Sequence, residues 1–279
     1  MKTDHLKIDP ALYVVSTPIG NLEDISSRLI KVLSASDYIL CEDTRVTLKL
    51  LNFINIKKKL VSFNEFNENK KLDILMNDLK KNKTLSIVSD AGTPAMSDPG
   101  QLIISRCHDI GIKVIPVPGP SAITCAMSVS GFLDNFYFCG FLPKKQNEIN
   151  KFFSQLILIK ASLVFFMPAR DLNKNSKYFL KFFPNSKFFI GREMTKIYET
   201  YIRDEMKNIS KYIESNQKGE MSIVIDNYSN KIISDKINIE DEIKLLLGKM
   251  SSKDIAEYLS KKLKINKKVI YQKVIGLND

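Results

Sequence analysis

Three short loops rich in glycine and proline carry the residue types best suited to hold a ligand. They are Thr17-Pro18-Ile19-Gly20-Asn21, Ser89-Asp90-Ala91-Gly92-Thr93-Pro94 and Pro116-Val117-Pro118-Gly119-Pro120-Ser121-Ala122. Glycine lets a backbone approach a bound molecule closely, and proline holds a loop in one shape. Free N–H groups at a helix start near Ser121 suit a carboxylate or a phosphate. Any one of these loops alone reads most simply as a turn. A fourth stretch, Cys41-Glu42-Asp43-Thr44-Arg45, sets two carboxylates beside an arginine. Asp43 is a good helix cap, and the same acids at the rim of a site would stand near a substrate; both readings are open.

Other chemistries are poorly supplied. The chain has two histidines, His5 and His108, which leaves little room for a Ser-His-Asp triad or a histidine-bound metal. Its four cysteines, Cys41, Cys107, Cys125 and Cys139, lie far apart. They form neither clustered zinc ligands nor a disulfide framework, and read as small buried hydrophobes in a reduced compartment. No metal is expected. Neither G-x-x-x-x-G-K-[ST] nor G-x-G-x-x-G occurs, so the usual mononucleotide and dinucleotide fingerprints are absent.

The elements that must position these loops alternate from the start. Strands are predicted at 12–17, 38–41, 60–63, 85–88, 113–116 and 136–141, with helices at 25–34, 44–54, 70–81, 102–110 and 121–130. Such alternation argues for a mainly parallel sheet with helices on both faces. Each of the three loops then leaves the carboxyl end of a strand, where open α/β sheets bind ligands. Together at one rim they read as a site. A polar stretch at 143–150 reads as a linker. After it a second α/β unit follows: a helix, a strand at 163–167, a helix, strands at 187–190 and 199–203, a helix and a strand at 221–225. Residues 226–239 read as a connector, and short helices at 240–247, 253–263 and 267–275 end the chain, the second capped by Ser251 or Ser252 and the third by Asn266. The expected units are therefore 1–142, 143–239 and 240–279.

With 279 residues, a net charge of +11 and no long apolar run, the chain expects an anionic partner, nucleic acid before a membrane surface. No signal peptide opens it, so the cytoplasm is the default. Lysine supplies most of the excess, and part of that is compatible with plain solvated surface.

The loops, as written, resemble the tetrapyrrole methylase superfamily (class III methyltransferases), and within it the ribosomal RNA 2′-O-methyltransferases that act on a small-subunit cytidine. The matching stretches are LYVVSTPIGNLEDIS (12–26), CEDTR (41–45), VSDAGTPAMSDPG (88–100), VPGPSA (117–122), GFLPKK (140–145), GREMTKIYE (191–199) and KGE (218–220), with a similar helical tail at 251–272. Two strings depart from the family pattern. Asn64-Glu65-Phe66-Asn67-Glu68 lacks the family's histidines, and Phe166-Met167-Pro168-Ala169-Arg170 lacks an acid and a histidine.

The resemblance implies S-adenosylmethionine as donor, bound between two α/β domains. Pro18, Gly20, Asp90, Ala91, Gly92, Thr93, Pro94, Ser121 and Ala122 would hold it from one side, and Gly191, Arg192, Met194 and Gly219 from the other. With histidine so scarce, the acids at the predicted rim are the expected proton acceptors, Glu42 or Asp43 first, Glu193 or Asp24 behind. Asn21, Arg45, Lys144, Lys145 and Arg170 would meet the substrate, although Arg45, Arg170 and Arg192 are equally suited to internal salt bridges. Lys261, Lys262, Lys264, Lys267 and Lys268 make the tail either an RNA contact or an amphipathic cap. Small-subunit ribosomal RNA or the assembled subunit is the implied partner, and a homodimer the implied assembly. A tetrapyrrole or corrinoid acceptor, or a non-catalytic RNA-binding factor on the same fold, are the competing expectations.

Overall fold

Short β-branched and apolar runs, separated by helical segments, build a first sheet from strands β1 (Leu12–Val15), β2 (Tyr38–Cys41), β3 (Leu60–Ser62), β4 (Leu85–Val88) and β5 (Val114–Val117). The order is β3-β2-β4-β1-β5 and every pairing is parallel. The computed structural model describes residues 8–132, 135–214, 217–227, 239–248, 250–263 and 266–277. Helices α1 (Ser27–Ala35), α2 (Thr44–Phe53), α3 (Glu68–Lys80) and α4 (Gln101–Asp109) cover the sheet. The two-residue period of a strand sends Tyr13, Val15, Ile39 and Cys41 to one face, where they meet Leu29, Val32 and Leu33 of α1 and Leu51 of α2. Leu12, Leu40, Leu85 and Ile87 go to the other, against Leu75, Met76 and Leu79 of α3 and Ile103 and Cys107 of α4. Burial on both faces is why β2 and β4 are apolar or small at every position. The parallel pairing leaves the carboxyl ends of all five strands on one rim.

The second sheet has the order β6-β7-β10-β8-β9, from β6 (Phe136–Phe141), β7 (Ser162–Pro168), β8 (Lys187–Arg192), β9 (Thr200–Glu205) and β10 (Glu220–Ile225). Only β6 and β7 run parallel; the other pairings are antiparallel. One face packs on α6 (Gln146–Leu156) and α7 (Leu172–Phe182) through a core that includes Phe153, Phe165, Phe179 and Phe188. The opposite face receives α5 (Ala122–Ser130), whose Ile123 and Ala126 meet Val164, Phe189 and Val224. Helix α5 leaves the first sheet at the third loop and lands on the second, joining the two. Part of that second face stays uncovered, and it is this part that faces the rim.

Three expectations are corrected. The strand at 136–141 was expected to finish the first sheet, but it pairs with β7; α5 has already carried the chain across, and periodicity says nothing about a strand's partner. The 143–150 linker is shorter, because α6 begins at Gln146 and buries Ile149, Phe153 and Leu156 at helical spacing. The helix expected between β9 and β10 is a run of 3₁₀ turns, Met206–Tyr212, that buries Met206 and Ile209 three residues apart.

The tail forms α8 (Ile239–Leu246), α9 (Ser252–Leu263) and α10 (Lys267–Ile275), which share a small core of Ile243, Ile255, Ala256, Leu259, Ile270 and Val274. Ser251 caps α9, its Oγ accepting from the N–H of Asp254 at 3.2 Å, and Asn266 caps α10. His5 and most of the 226–239 connector lie outside the described residues. No helix among the described residues is long and apolar enough to cross a membrane.

Candidate active site

The three loops meet. Thr17 and Gly92 exchange backbone hydrogen bonds of 2.8 and 3.1 Å. Thr17 Oγ1 also donates to the Ser89 carbonyl at 3.0 Å. The hydroxyls of Ser16 and Thr93 lie 3.0 Å apart, and Thr93 Oγ1 donates to the Pro120 carbonyl at 3.4 Å. Between this rim and the free face of the second sheet lies a cavity of about 280 Å³, close to the lower end of the range for small-molecule sites, about 300–1,000 Å³.

The floor follows from register. Phe141 pairs with Phe166, Phe166 with Ser222 and Ser222 with Gly191, across four adjacent strands, and all four line the cavity. Ser222 leaves room above β10, and Gly191, at the far end of the row, lets the Met194 side chain lie against β8, while the aromatic end walls the cavity. Ile19, Ile123, Met194 and Met221 add apolar surface. Four carboxylates, Asp90, Asp98, Glu193 and Glu220, line it against one lysine, Lys196. That combination suits a ligand with a planar apolar part and a cationic part.

The acids divide into two groups. Glu42, at the exit of β2, shares the rim with Asp90 and Asp98, at the exit of β4. Desolvation first, then the like charges of Asp90 and Asp98, raises the Glu42 carboxyl above its ordinary value. Asp98 is raised by burial and then by Asp90, and Asp90 by burial, against the Asp43 N–H that donates to it at 3.1 Å. The turn that presents Asp98 contains two non-glycine residues in left-handed backbone, Ala95 (φ 63°) and Ser97 (φ 97°). Such strain persists where surrounding structure imposes it, and it clusters at functional sites.

Glu193 belongs to the second group. Burial acts to raise it, but Lys196 Nζ at 2.7 Å and the Glu220 N–H at 2.9 Å hold it below its ordinary value. Its carboxylate is a tie within the loop after β8, and Gly219 is closely packed against it.

Of the residues singled out from sequence, Asp90, Ala91, Gly92, Thr93, Ser121, Ala122, Gly191, Glu193 and Met194 line the cavity. Pro18, Gly20, Pro94, Arg192 and Gly219 do not. Gly20 serves a different close approach than a ligand's: a Cβ there would stand 2.5 Å from Lys196 Cγ and 3.0 Å from the Met194 carbonyl. Its neighbour Asn21 donates its N–H to Thr195 Oγ1 at 3.1 Å. These two residues fasten the first loop to the loop after β8 across the cleft.

Asp43 caps α2 and pairs with Arg45. Arg45 pulls its carboxyl down to about 2, which makes it a poor proton acceptor. Arg192 donates Nε–H to the Lys218 carbonyl at 2.9 Å and faces Glu214 at 3.6 Å, so two of the three motif arginines are internally engaged. Arg170 is exposed and its charge acts on Glu220. Asp24 sits exposed on the Leu22–Asp24 turn, outside the cavity lining. Lys144 and Lys145 are exposed at the head of α6, Lys145 facing Glu148 at 3.3 Å. In the tail, Lys261 and Lys267 bind Glu257 at 3.2 and 2.6 Å and Lys268 is exposed; Lys264 and the Lys262 side chain lie outside the described residues.

Sequence reasoning passed over Asp98, Phe141, Lys196, Glu220 and Ser222. Asp98 carried a signal, since it stands in the quoted 88–100 motif just before Pro99-Gly100. Ser222 carried none, because its place comes from register with Phe166 and Gly191.

Residues 11–210 match the family model for tetrapyrrole (corrin/porphyrin) methylases. The chain belongs to the tetrapyrrole methylase family. Among its relatives in that family is a protein of Neisseria meningitidis named ribosomal RNA small subunit methyltransferase I, 37% identical over 268 residues that cover 93% of this chain and 91% of that one. A protein of the same name from Thermotoga maritima is 42% identical over 216 residues, covering 77% of this chain and 97% of that one. Solved tetrapyrrole methylase structures share the fold. Cobalt precorrin-4 methyltransferase aligns with a TM-score of 0.57 at 16% identity, over 76% of this chain and 93% of that one. Uroporphyrin-III C-methyltransferase from Thermus thermophilus, in complex with S-adenosyl homocysteine, aligns at 0.52 and 13%, over 77% of this chain and 96% of that one.

Proposed function

We propose that this tetrapyrrole methylase transfers a methyl group from S-adenosylmethionine to the ribose 2′-hydroxyl of a cytidine in small-subunit ribosomal RNA, in the cytoplasm and as a homodimer. The observation that carries the acceptor is the near full-length similarity to ribosomal RNA small subunit methyltransferases, 37% identity over 93% of the chain. The net charge of +11 agrees with a polyanionic acceptor. A tetrapyrrole acceptor has behind it the family's name and a fold likeness at 16% identity to cobalt precorrin-4 methyltransferase and 13% to uroporphyrin-III C-methyltransferase.

The cavity fits the donor by its chemistry. Gly191, Met194, Met221 and Ser222 offer the adenine a flat floor and apolar edges, and the four acids suit the donor's positive charges. Ser121 and Ala122, at the head of α5, offer free N–H groups to its carboxylate. When bound, the sulfonium supplies an already activated methyl group. The chain's own task is then orientation and proton removal. Holding an acceptor oxygen in line contributes about 7–11 kcal/mol in well-oriented systems.

The ribose hydroxyl is a weak nucleophile, and a carboxylate that accepts its proton contributes about 10²–10⁴-fold. Glu42 and Asp98 are the acceptors we favour, because burial first, and then the like charge of Asp90, raises their proton affinity. Asp43 and Glu193 are occupied by Arg45 and Lys196. Phosphate contacts fall to exposed lysines such as Lys144, Lys145 and Lys268.

The test is to supply donor labelled in its methyl group together with purified small subunits, naked small-subunit RNA or uroporphyrinogen. Label in the ribosomal samples alone is expected; label in the porphyrin alone overturns the assignment. Donor titrated by calorimetry without acceptor separates an enzyme from an RNA-binding factor, which would take up none.

A further inference from the structure

Strand β6 carries an irregularity. Its pairing with β7 runs Phe136–Ser162, Tyr137–Leu163, Phe138–Val164, then Gly140–Phe165 and Phe141–Phe166, so Cys139 is one residue extra. Gly140 stands at φ 69°, a backbone that glycine adopts without penalty and that bulges use. In an unbroken strand Phe138 and Phe141, three positions apart, would face opposite ways. The bulge reverses that parity. Both rings meet Phe166 edge-on, with centroids 4.9 and 5.6 Å apart, while Cys139 packs on the α6 and α7 side. Phe141 is thereby delivered to the cleft, where it lines the cavity and remains 52% exposed.

We propose that Phe141, backed by Phe166, is the platform on which the target nucleobase stacks. The inference rests on reading the cleft as an RNA methyltransferase site. Position favours the acceptor over the donor: Phe141 is at the end of the floor row away from Gly191. Ser97, Asp98 and Phe141 line the same cavity, and a Cβ on Gly140 would stand 3.7 Å from Ser97 Oγ, which sets the turn that presents Asp98 beside this end of β6. A base lying on Phe141 therefore brings its own ribose toward that carboxylate. Aromatic faces are the usual means of holding an unstacked base, whatever its identity. Phe166, where the family pattern has an acid, extends the same apolar surface inward.

The test compares Phe141→Ala, Phe141→Leu and Phe141→Trp with the wild type in steady-state methyl transfer to purified small subunits. Donor affinity, melting temperature and sedimentation are measured on the same proteins. Removing the ring is expected to raise KM for the subunit about 5- to 150-fold, the range of base–aromatic stacking. Leucine should not restore it and tryptophan should, with donor affinity, stability and oligomeric state unchanged. A wild-type KM for Phe141→Ala overturns the platform, and so does rescue by leucine. Donor affinity lost in the same measure reassigns the ring to the cofactor, and a changed oligomeric state reassigns it to a subunit contact. A wild-type protein that methylates no ribosomal RNA removes the acceptor assignment itself, whatever the variants do.

Discussion

Replacing Gly20 with alanine should open the cleft by pushing on Lys196 and Met194, two residues of its lining, from outside the cavity. The backbone there lies outside the left-handed region, so alanine carries no conformational penalty and the whole effect is steric. The new Cβ would stand 2.5 Å from Lys196 Cγ, 2.8 Å from Thr195 Oγ1 and 3.0 Å from the Met194 carbonyl. Carbon atoms in contact prefer about 3.5–4.0 Å, so the loop after β8 must retreat by about 1 Å or Lys196 must swing aside. Retreat stretches the Asn21 N–H to Thr195 Oγ1 bond of 3.1 Å past its useful length; swinging aside breaks the 2.7 Å bond from Lys196 to Glu193. Overpacking costs about 1–3 kcal/mol and one lost hydrogen bond about 1 kcal/mol. At tenfold per 1.4 kcal/mol, donor affinity should fall between about fivefold, where one of these acts alone, and several hundredfold, where both act. Calorimetric titration of Gly20→Ala with S-adenosylmethionine reads this directly. Gly276→Ala, at a helix end with no contact under 3.6 Å, is the control and should bind as the wild type does. Affinity for Gly20→Ala within twofold of wild type would mean that this junction does not hold the cleft in its binding shape.

Three further outcomes are expected. Methyl transfer should fail as pH drops through the raised carboxylate range, because the proton acceptor must be ionised; Asp90→Asn removes the like charge that acts on both Glu42 and Asp98 and should move that acid limb to lower pH in a kcat/KM profile. The same raised carboxyls lower stability as pH climbs, since the folded state then holds protons that the unfolded state has released; Asp98→Asn should melt above wild type at pH 7, with the gap closing below the ordinary carboxylate range. Phe153→Ala empties a fully buried site in the second sheet's core, a loss of about 3–5 kcal/mol, or a fall in Tm of roughly 6–20 °C at the slope for chains of comparable size. Circular dichroism against temperature checks both.

Much of this molecule is written in local patterns. The strands at 38–41 and 85–88 are apolar or small at every position because both faces of their sheet are covered, and that requirement leaves a mark in the chain itself. The convergence of the Thr17, Gly92 and Pro120 loops followed from strand polarity, since parallel strands bring their exits to one edge. What stayed hidden depends on partners far away in sequence. Nothing in 136–141 names β7 as a neighbour, although glycine inside the strand run Phe136-Tyr137-Phe138-Cys139-Gly140-Phe141 did hint at a bulge. Gly20 looked like a ligand contact because glycine fits any close approach, and only the fold shows that the approaching group is Lys196. Asp43 and Glu42 are adjacent in sequence yet differ in use, for Arg45 neutralises one, while desolvation and two distant aspartates press on the other.

The decisive event is a methyl group reaching a ribose oxygen. Purified protein, small subunits lacking the modification and donor carrying a deuterated methyl should be combined, the RNA digested to nucleosides, and the products weighed and fragmented. One labelled cytidine with the label on its sugar, strongly reduced when Glu42 and Asp98 are both replaced by their amides, is the predicted result. Label on a base, or undiminished sugar label in that double variant, would contradict it.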